Sequence, residues 1–466
     1  MSCTAPLSPG LRREWEAHDV LALAVFWGGL AAMAWAWAGY PLLAGLAAAT
    51  VKHGPQDHPD RDGAGGCPSI SVVVAVHDEE RALPAKLQNC LELDYPATEL
   101  EVLVASDGSQ DGTVAIAQDF AARHSNVRLV SSAARCGKSS IQNAAAAAAS
   151  GEVLLFTDVD TVLGRDALHI VAAGFRRPSA GCLTGRVMWQ SKEGSGRAHS
   201  ENLYWRYEHA LWRRETRLGI LAWGSGPCLA VRRHLFRPID PCFGDDVAIP
   251  FDVIAQGFSV IYEPSLVALE ESWEGDGSAL RARARMTLRG FTGTLARRRV
   301  YSPWQRPGLF VAVVSHKLLR WVTPFLFLAV LATAVPLAVD SYPAAQGILV
   351  VQVGAVMAAV AGGLAARYGV RVPFVNAAYD LALENIGMLV GVAKGAAGQR
   401  QLAYGGDQAE LSHRPGGQDG LWATAPAYGR RPRRLRVTDA SGTSSRTSRT
   451  PGQSRCSLSA APRSGA

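Results

Sequence analysis

Residues 21–51 carry no charged side chain and are rich in Ala, Leu, Gly and Trp, which is long enough for one membrane helix. The run is too long, and lies too deep in the chain, for a typical cleaved signal peptide. Two further apolar spans, 321–339 and 348–366, lie beyond a segment from Lys52 to about Pro307 that reads as an ordinary soluble α/β domain. A fourth stretch, 374–397, carries Asp380, Glu384 and Asn385, so whether it crosses stays open. A soluble domain held between apolar helices at both ends is the strongest constraint on this fold.

Flanking charge sets the expected topology. The hairpin Asp340-Ser341-Tyr342-Pro343 has no Lys or Arg, whereas Lys317, Arg320, Arg367 and Arg371 sit at the other ends of its spans. By the positive-inside rule the soluble domain faces the cytoplasm and the protein is a multi-pass resident of the cell membrane. The tail from Gln401 is rich in Arg, Ser, Gly and Pro and reads as disordered. Its basic residues favour the cytoplasm, which requires 374–397 to lie on or re-enter the membrane. The expected division is an N-terminal segment 1–20, a transmembrane helix 21–51, a soluble domain 52–308, a membrane region 309–400 with two or three helices, and a tail 401–466.

Lys and Arg number 47 against 40 Asp and Glu, and much of the +7 excess falls in the tail. No basic stripe marks the folded part, so nucleic acid is not an expected partner. The eight cysteines (Cys3, Cys67, Cys90, Cys136, Cys182, Cys228, Cys242, Cys456) show no C-x-x-C spacing and no compact framework, which points to free thiols.

Inside the soluble segment, β-branched runs alternate with helical patterns. Strands are expected at 70–76, 100–105, 127–130 and from Val153, with helices to about Leu93, over 114–122 and from Gly137 through Ala149. That alternation gives βαβ units and a mainly parallel sheet. Acidic or glycine-rich turns follow the first, second and fourth strands. The second, Ser106-Asp107-Gly108-Ser109-Gln110-Asp111-Gly112-Thr113, lets the backbone approach a ligand, and Asp107 can accept from a base or a ribose, while Asp111 with Thr113 reads as a helix cap. Gly137-Lys138 lacks the full P-loop spacing, yet a lysine opening a helix can meet a phosphate. The fourth strand runs into Asp158-Val159-Asp160. Two carboxylates at a strand's carboxyl end can hold a divalent cation that neutralises a diphosphate.

Taken in order, these pieces resemble the family-2 glycosyltransferases of GT-A fold, in the membrane-integrated branch of cellulose, hyaluronan and poly-N-acetylglucosamine synthases. Residues 72–80 resemble the family's opening strand and its P-x-Y-N-E-E turn, with Ala75 and Asp78 replacing Pro and Asn. Ser106-Asp107-Gly108-Ser109 matches its D-G-S turn, Gly137-Lys138 its G-K, and Asp158-Val159-Asp160 its D-x-D. Gly224-Ser225-Gly226-Pro227 through Arg232-Arg233 resembles the glycine-rich acceptor-side segment. Gly244-Asp245-Asp246 resembles the acidic pair that supplies the catalytic base.

The resemblance implies a GT-A sheet with transmembrane helices at both ends and inverting, metal-dependent transfer from a nucleotide sugar, a UDP-sugar being the expected donor. Asp246 is then the base and Asp245 its neighbour. Glu79, Asp107, Gly108, Lys138, Asp158 and Arg285 bind the nucleotide sugar, and Asp158 with Asp160 holds Mg²⁺ or Mn²⁺. The acceptor is a growing polysaccharide or lipid-linked glycan, with a lipid bilayer as a further partner. Few spans are available for a channel, so a partner subunit or homo-oligomer is expected to complete it. The processive signature Q-x-x-R-W is replaced by Ala282-Arg283-Ala284-Arg285-Met286, which favours single addition to a lipid carrier as the alternative; a nucleotide-binding membrane sensor is the alternative outside enzymes. Tyr204, Trp205, Tyr207 and Trp212 read as packed core, and His316 is given no catalytic role.

Overall fold

The computed structural model describes residues 17–52, 67–190, 197–271, 276–368, 370, 372–401 and 436–438. Most of the N-terminal segment and of the tail lies outside the described residues, and with the tail the expectation that it is disordered.

The chain opens with α1 (Ala17–Ala34) and α2 (Tyr40–Thr50), joined by a π-helical turn at Trp35–Gly39. Together Asp19–Thr50 is long and apolar enough to cross a membrane. The domain then alternates β1 (Ile70–Val76), α3 (Leu83–Leu91), β2 (Leu100–Asp107), α4 (Thr113–Arg123), β3 (Val127–Ser132), α5 (Lys138–Ala148) and β4 (Val153–Asp158). It continues through β5 (Val162–Leu163), α6 (Ala167–Phe175), β6 (Ala180–Gln190), α7 (Arg197–Leu218), β7 (Leu229–Arg232), α8 (Asp245–Ala255), β8 (Ser259–Glu271) and α9 (Asp276–Ala296). After it come α10 (Pro307–Ala312), α11 (Leu319–Trp321), α12 (Thr323–Val339), α13 (Pro343–Arg367) and α14 (Pro373–Ala396), with a short β9 (Arg436–Thr438).

The strands form one sheet in the order β5-β8-β6-β7-β4-β1-β2-β3-β9. β3, β2, β1 and β4 are parallel, as alternating strands and helices require, and β6 with β8 makes a second parallel pair. β7 runs antiparallel between β4 and β6, which makes the sheet mixed. The β-branched runs are buried because helices cover both faces. Val72 and Val74 join the core under α3, α4 and α6, whereas Val73 joins the core under α5 and α8. Each such side chain contributes roughly 1.5–3 kcal/mol of burial, and their alternation fixes the register. The parallel block gathers the carboxyl ends of β1, β2 and β4 at one edge, the usual ligand edge of an open α/β sheet.

The apolar helices differ from the sequence expectation in one place. α13 is long and apolar enough to cross, but the span expected at 321–339 is half of a pair, Pro307–Trp321 and Thr323–Val339, bent by 61°. Pro324 lies in the first turn of α12, where its missing N–H and its ring cannot continue the hydrogen bonds of the preceding helix across Val322. The stretch 374–397 is helical as α14 and packs on α9. Gly387, Gly391 and Gly395 share one face, and a Cβ on them would meet Arg283, Ala284 and Phe291 within 3 Å. Small residues at this spacing let two helix backbones approach closely. Arg283 pairs with Glu384 across the same seam.

α7 fastens the domain to the first apolar helix. Arg214 donates to the Pro41 carbonyl at 3.0 Å, and Arg217 donates twice to the Val51 carbonyl at 3.1 and 2.7 Å, which caps the end of α2. Beneath them lies a buried ionic cluster. His316 faces Glu208 at 2.9 Å and Glu215 at 2.8 Å, Tyr40 donates to Glu215 at 2.6 Å, and Arg320 pairs with Glu208. His316 is therefore an interior strut. Trp212 is buried, while Tyr207 stacks on Trp37 and donates to its carbonyl at 3.0 Å.

Candidate functional site

The turns after β1 and β2 are knitted together. Asp78 has a positive φ of 54°, and its carboxylate accepts from the Gln110 N–H at 2.7 Å. Asp111 accepts from Thr113 N–H and from Glu80 N–H, both at 3.0 Å, so it does the capping work expected of it and also ties the two turns. Glu79 donates its N–H to Thr113 Oγ1 at 2.7 Å and leaves its carboxylate facing Asp160. Burial, and then that facing carboxylate, push the Glu79 carboxyl up.

Asp107 is 3 % exposed, and its carboxylate is already engaged. Oδ1 accepts from Cys136 N–H at 2.6 Å and Gly137 N–H at 3.1 Å, while Oδ2 accepts from Gly137 N–H at 2.9 Å. The side chain thus fixes the backbone that launches α5. Gly108, at φ 68°, lies so close to residues 134–135 that a Cβ would meet them at 2.6 Å. Gly137, at φ 93°, turns the chain into α5 and aims Lys138 across the sheet edge.

Lys138 is the junction of the site. Its ammonium donates to Asp158 Oδ1 at 2.6 Å and lies 3.5 Å from Asp245 Oδ2. The D-x-D turn and the acidic pair are 85 or more residues apart in sequence, and one lysine touches both. Asp160 stands at the rim of the same turn. Withdrawal of water by the surrounding protein, then the neighbouring Asp158, pushes its carboxyl up.

Asp245 and Asp246 open α8, at the positive end of its dipole. They differ sharply in environment. Asp245 is buried and accepts from Gln142 Nε2 at 2.9 Å; burial alone would raise its carboxyl, but Lys138, Gln142 and Arg289 together hold it down. Asp246 is partly exposed, and burial followed by the adjacent Asp245 pushes it up to about 6. One carboxylate is fixed as an anion while its neighbour is poised to exchange a proton.

Two further basic residues belong to this site, Arg289 from the arginine-rich segment 281–290 and Lys86, which the sequence pattern does not single out. Arg289 is buried and donates to the Pro241 carbonyl at 2.8 Å, to Ser139 Oγ at 3.0 Å and to the Phe243 carbonyl, which pins the acidic loop to the start of α5. Lys86, 2 % exposed, lies under the D-x-D turn. Lys86 stands where α3 presents Leu83, Leu87 and Cys90, and a charge in such a stripe is the signal that marks it. Arg285 lies one turn before Arg289, half-buried and close enough for its charge to act on that guanidinium.

Among the described residues no group of three or more His, Cys, Asp or Glu side chains forms a metal cage by itself. The donor set fits a cation that arrives with phosphate. Asp158 and Asp160 are hard oxygen donors, and Mg²⁺ or Mn²⁺ is commonly held by one or two carboxylates plus substrate phosphates. The upward push that Asp160 receives from Asp158 would be relieved by such a charge.

Residues 71–239 match the model of Glycosyl transferase family 2. An N-acetylglucosaminyltransferase of Sinorhizobium fredii is 27 % identical over 248 residues, covering 50 % of this chain and 60 % of that one. The poly-beta-1,6-N-acetyl-D-glucosamine synthase of Staphylococcus epidermidis is 32 % identical over 124 residues, 26 % of this chain and 29 % of that one. The chain spans about half the length of the curated relatives it matches. Among solved structures, a mannosyltransferase of Pyrobaculum calidifontis in complex with GDP-Man and Mn²⁺ superposes with a TM-score of 0.56 at 20 % identity, covering 81 % of this chain and 98 % of that one, and so shares its fold. The strand order, the acidic turns at one sheet edge and the family match agree: residues 71–239 are a glycosyltransferase family 2 domain.

Proposed function

We propose that this chain is a membrane-bound, metal-assisted, inverting glycosyltransferase that moves a sugar from a UDP-sugar to a growing polysaccharide or lipid-linked glycan on the cytoplasmic face. The observation that carries it is the Lys138 junction, which places the acidic pair beside the D-x-D turn. The relatives named for N-acetylglucosamine make UDP-N-acetylglucosamine the first donor to test. The neighbour bound to GDP-Man and Mn²⁺ is the reason to supply Mn²⁺ in that test.

Asp246 accepts the proton of the acceptor hydroxyl as its oxygen bonds to the anomeric carbon from the face opposite the diphosphate. The bond from that carbon to the diphosphate oxygen breaks, and the configuration inverts. Lys138 offers its ammonium to the departing diphosphate, and the start of α5 adds N–H groups to the same charge. Asp158 and Asp160 would hold Mg²⁺ or Mn²⁺, which would neutralise diphosphate charge. Asp245, held by Gln142 and Lys138, accepts the Asp246 N–H at 3.1 Å and so fixes its neighbour's backbone. Glu79, Gly108 and the backbone that Asp107 fixes line the nucleotide side, and Arg285 reaches toward the diphosphate.

Asp246→Asn tests the assignment: transfer of labelled sugar collapses while UDP binding, followed by calorimetry, persists. Turnover that survives this change removes Asp246 as the base. A wild-type chain that binds UDP yet transfers nothing from a panel of labelled nucleotide sugars points to the sensor reading. Single addition to a lipid carrier is favoured by one observation, Ala282-Arg283-Ala284-Arg285-Met286 standing where a processive signature would read Gln and Trp. Sizing the product separates the two.

A further inference from the structure

Helix α3 carries a lysine inside its apolar stripe. Lys86 lies between Leu83 and Leu87, both fully buried, and is itself 2 % exposed. Its ammonium donates to Thr157 Oγ1 at 2.9 Å and to the Thr161 carbonyl at 2.6 Å. Those two acceptors bracket Asp158-Val159-Asp160. One turn along the same face, Asn89 donates to the Leu163 carbonyl at 2.9 Å and accepts from the Leu163 N–H at 2.9 Å. The ladder of β4 ends at Asp158 and β5 begins at Val162, so the turn between them lies outside the sheet's own hydrogen bonds. The face of α3 therefore grips residues 157–163 at both ends.

A leucine or methionine would fill the position of Lys86 with no charge to bury. Burying an ammonium is costly unless hydrogen bonds and nearby opposite charge offset it. Here the offset comes from the acceptors that bracket the D-x-D pair and from the field of its two carboxylates, both of which act on the ammonium. We infer that Lys86 is a positioning residue of the diphosphate site: its ammonium fixes the turn that spaces Asp158 and Asp160 and balances part of their charge. This deepens the proposed function and rests on its reading of those two carboxylates. It adds a residue that touches neither substrate nor metal and acts through the turn it holds. Outer partners of this kind hold ligating groups in the geometry a cation requires.

The test uses the full chain in detergent, with UDP and Mn²⁺ as probes and calorimetry as the readout. In the wild type, Mn²⁺ tightens UDP binding. In Lys86→Met, which keeps an unbranched stem of similar length, that Mn²⁺-dependent gain falls about 10–100-fold, while UDP binding in chelator is unchanged. Thr157→Val removes one acceptor without changing shape and gives a smaller loss in the same direction. A folded Lys86→Met chain with the wild-type gain overturns the proposal, as does equal weakening with and without Mn²⁺, which marks a scaffold role alone. Should Lys86→Met fail to fold, Thr157→Val decides, and an unchanged gain there overturns it equally. A wild type whose UDP binding ignores Mn²⁺ overturns the metal reading of Asp158 and Asp160, and this inference falls with it, whereas the role of Asp246 is tested separately.

Discussion

Gly244→Ala isolates the placement of Asp246 from its chemistry. Gly244 has φ −72° and ψ 139°, a conformation open to any residue, so its conformational freedom is not what the position requires. What it requires is space, because an added Cβ would overlap Asp246 Oδ1 and lie 3.4 Å from its Cγ. The overlap falls about 1 Å inside an ordinary C···O separation of roughly 3.3 Å, so the carboxylate must move by about that much. A displacement of about 1 Å in a catalytic group costs on the order of 10²-fold in rate, or about 2.7 kcal/mol in the barrier. Stability changes little. Alanine is a poorer helix cap than glycine by about 0.5–1 kcal/mol, and the stiffer unfolded chain returns about 0.4–1 kcal/mol. The assay is initial-rate transfer of labelled sugar at saturating donor, beside a thermal melt. In an Asp246→Asn background Gly244→Ala should cost nothing further, since both act through one carboxylate. An unchanged rate in Gly244→Ala, or a full additional loss in the double variant, would refute the argument.

Other outcomes follow from the same geometry. With Asp246 pushed up to about 6, it holds its proton below that pH and accepts one above it. The turnover rate should therefore rise with pH through about 6 and fall roughly tenfold per unit on the acid side, a limb that a pH–rate profile of Asp246→Asn must lack. Asp107→Ala leaves the Cys136 and Gly137 N–H groups without their acceptor. Thermal or denaturant melts should show a loss of about 1–3 kcal/mol, together with a raised KM for the donor because α5 and Lys138 lose their anchor. Glu208→Ala strips the partner from Arg320 and His316 in a buried setting, and should cost about 3–5 kcal/mol, read as a fall in melting temperature or in yield of folded protein. Chelation should suppress transfer and Mn²⁺ should restore it. Full activity in chelator would remove the metal role of Asp158 and Asp160.

The sheet was legible because its strands are continuous β-branched runs buried on both faces, as Val72, Val73 and Val74 show by dividing between two cores. The acidic turns were legible because they directly follow those strands. Contacts across long sequence separations were not. Lys86 meets Thr157 and Thr161 from 71 and 75 residues away, and local periodicity contains nothing about that meeting. Its only sequence trace is a lysine three residues after Leu83 and four before Cys90, on the apolar face of α3. Asp107 shows the opposite limit. A carboxylate in a glycine turn reads as a ligand contact, yet its oxygens point at the backbone of a loop 29 residues later. The bend before α12 could be read from Pro324, whereas hydropathy averaged over the span conceals it.

The end of the candidate site that holds Asp246 stands on the apolar helices rather than on the sheet alone. The Asp246 carbonyl accepts the Gly224 N–H at 2.9 Å, and the preceding residue, Trp223, is buried with its ring 6.0 Å from Trp321 and 5.6 Å from the Lys317 ammonium. Lys317 in turn lies 3.4 Å from Glu208, the carboxylate that binds Arg320 and His316. Arg320 reaches the Ala36 carbonyl at 3.5 Å, in the π-helical turn of the first apolar helix, and Trp35 of that turn donates to Ser315 Oγ at 2.9 Å. Both π turns, Trp35–Gly39 and Val313–Leu318, therefore meet at this cluster, where the wider turn frees a carbonyl for a side-chain donor. A soluble version cut at the domain boundaries would lose Tyr40, His316 and Arg320 from the cluster, uncover Glu208 and Glu215, and expose Leu211, which packs against Tyr40, Ala44 and Ala312. Such a truncation should fold poorly, and any that folds should retain nucleotide binding better than transfer, because the nucleotide turns rest on β1 and β2 while Asp246 rests on this chain of contacts.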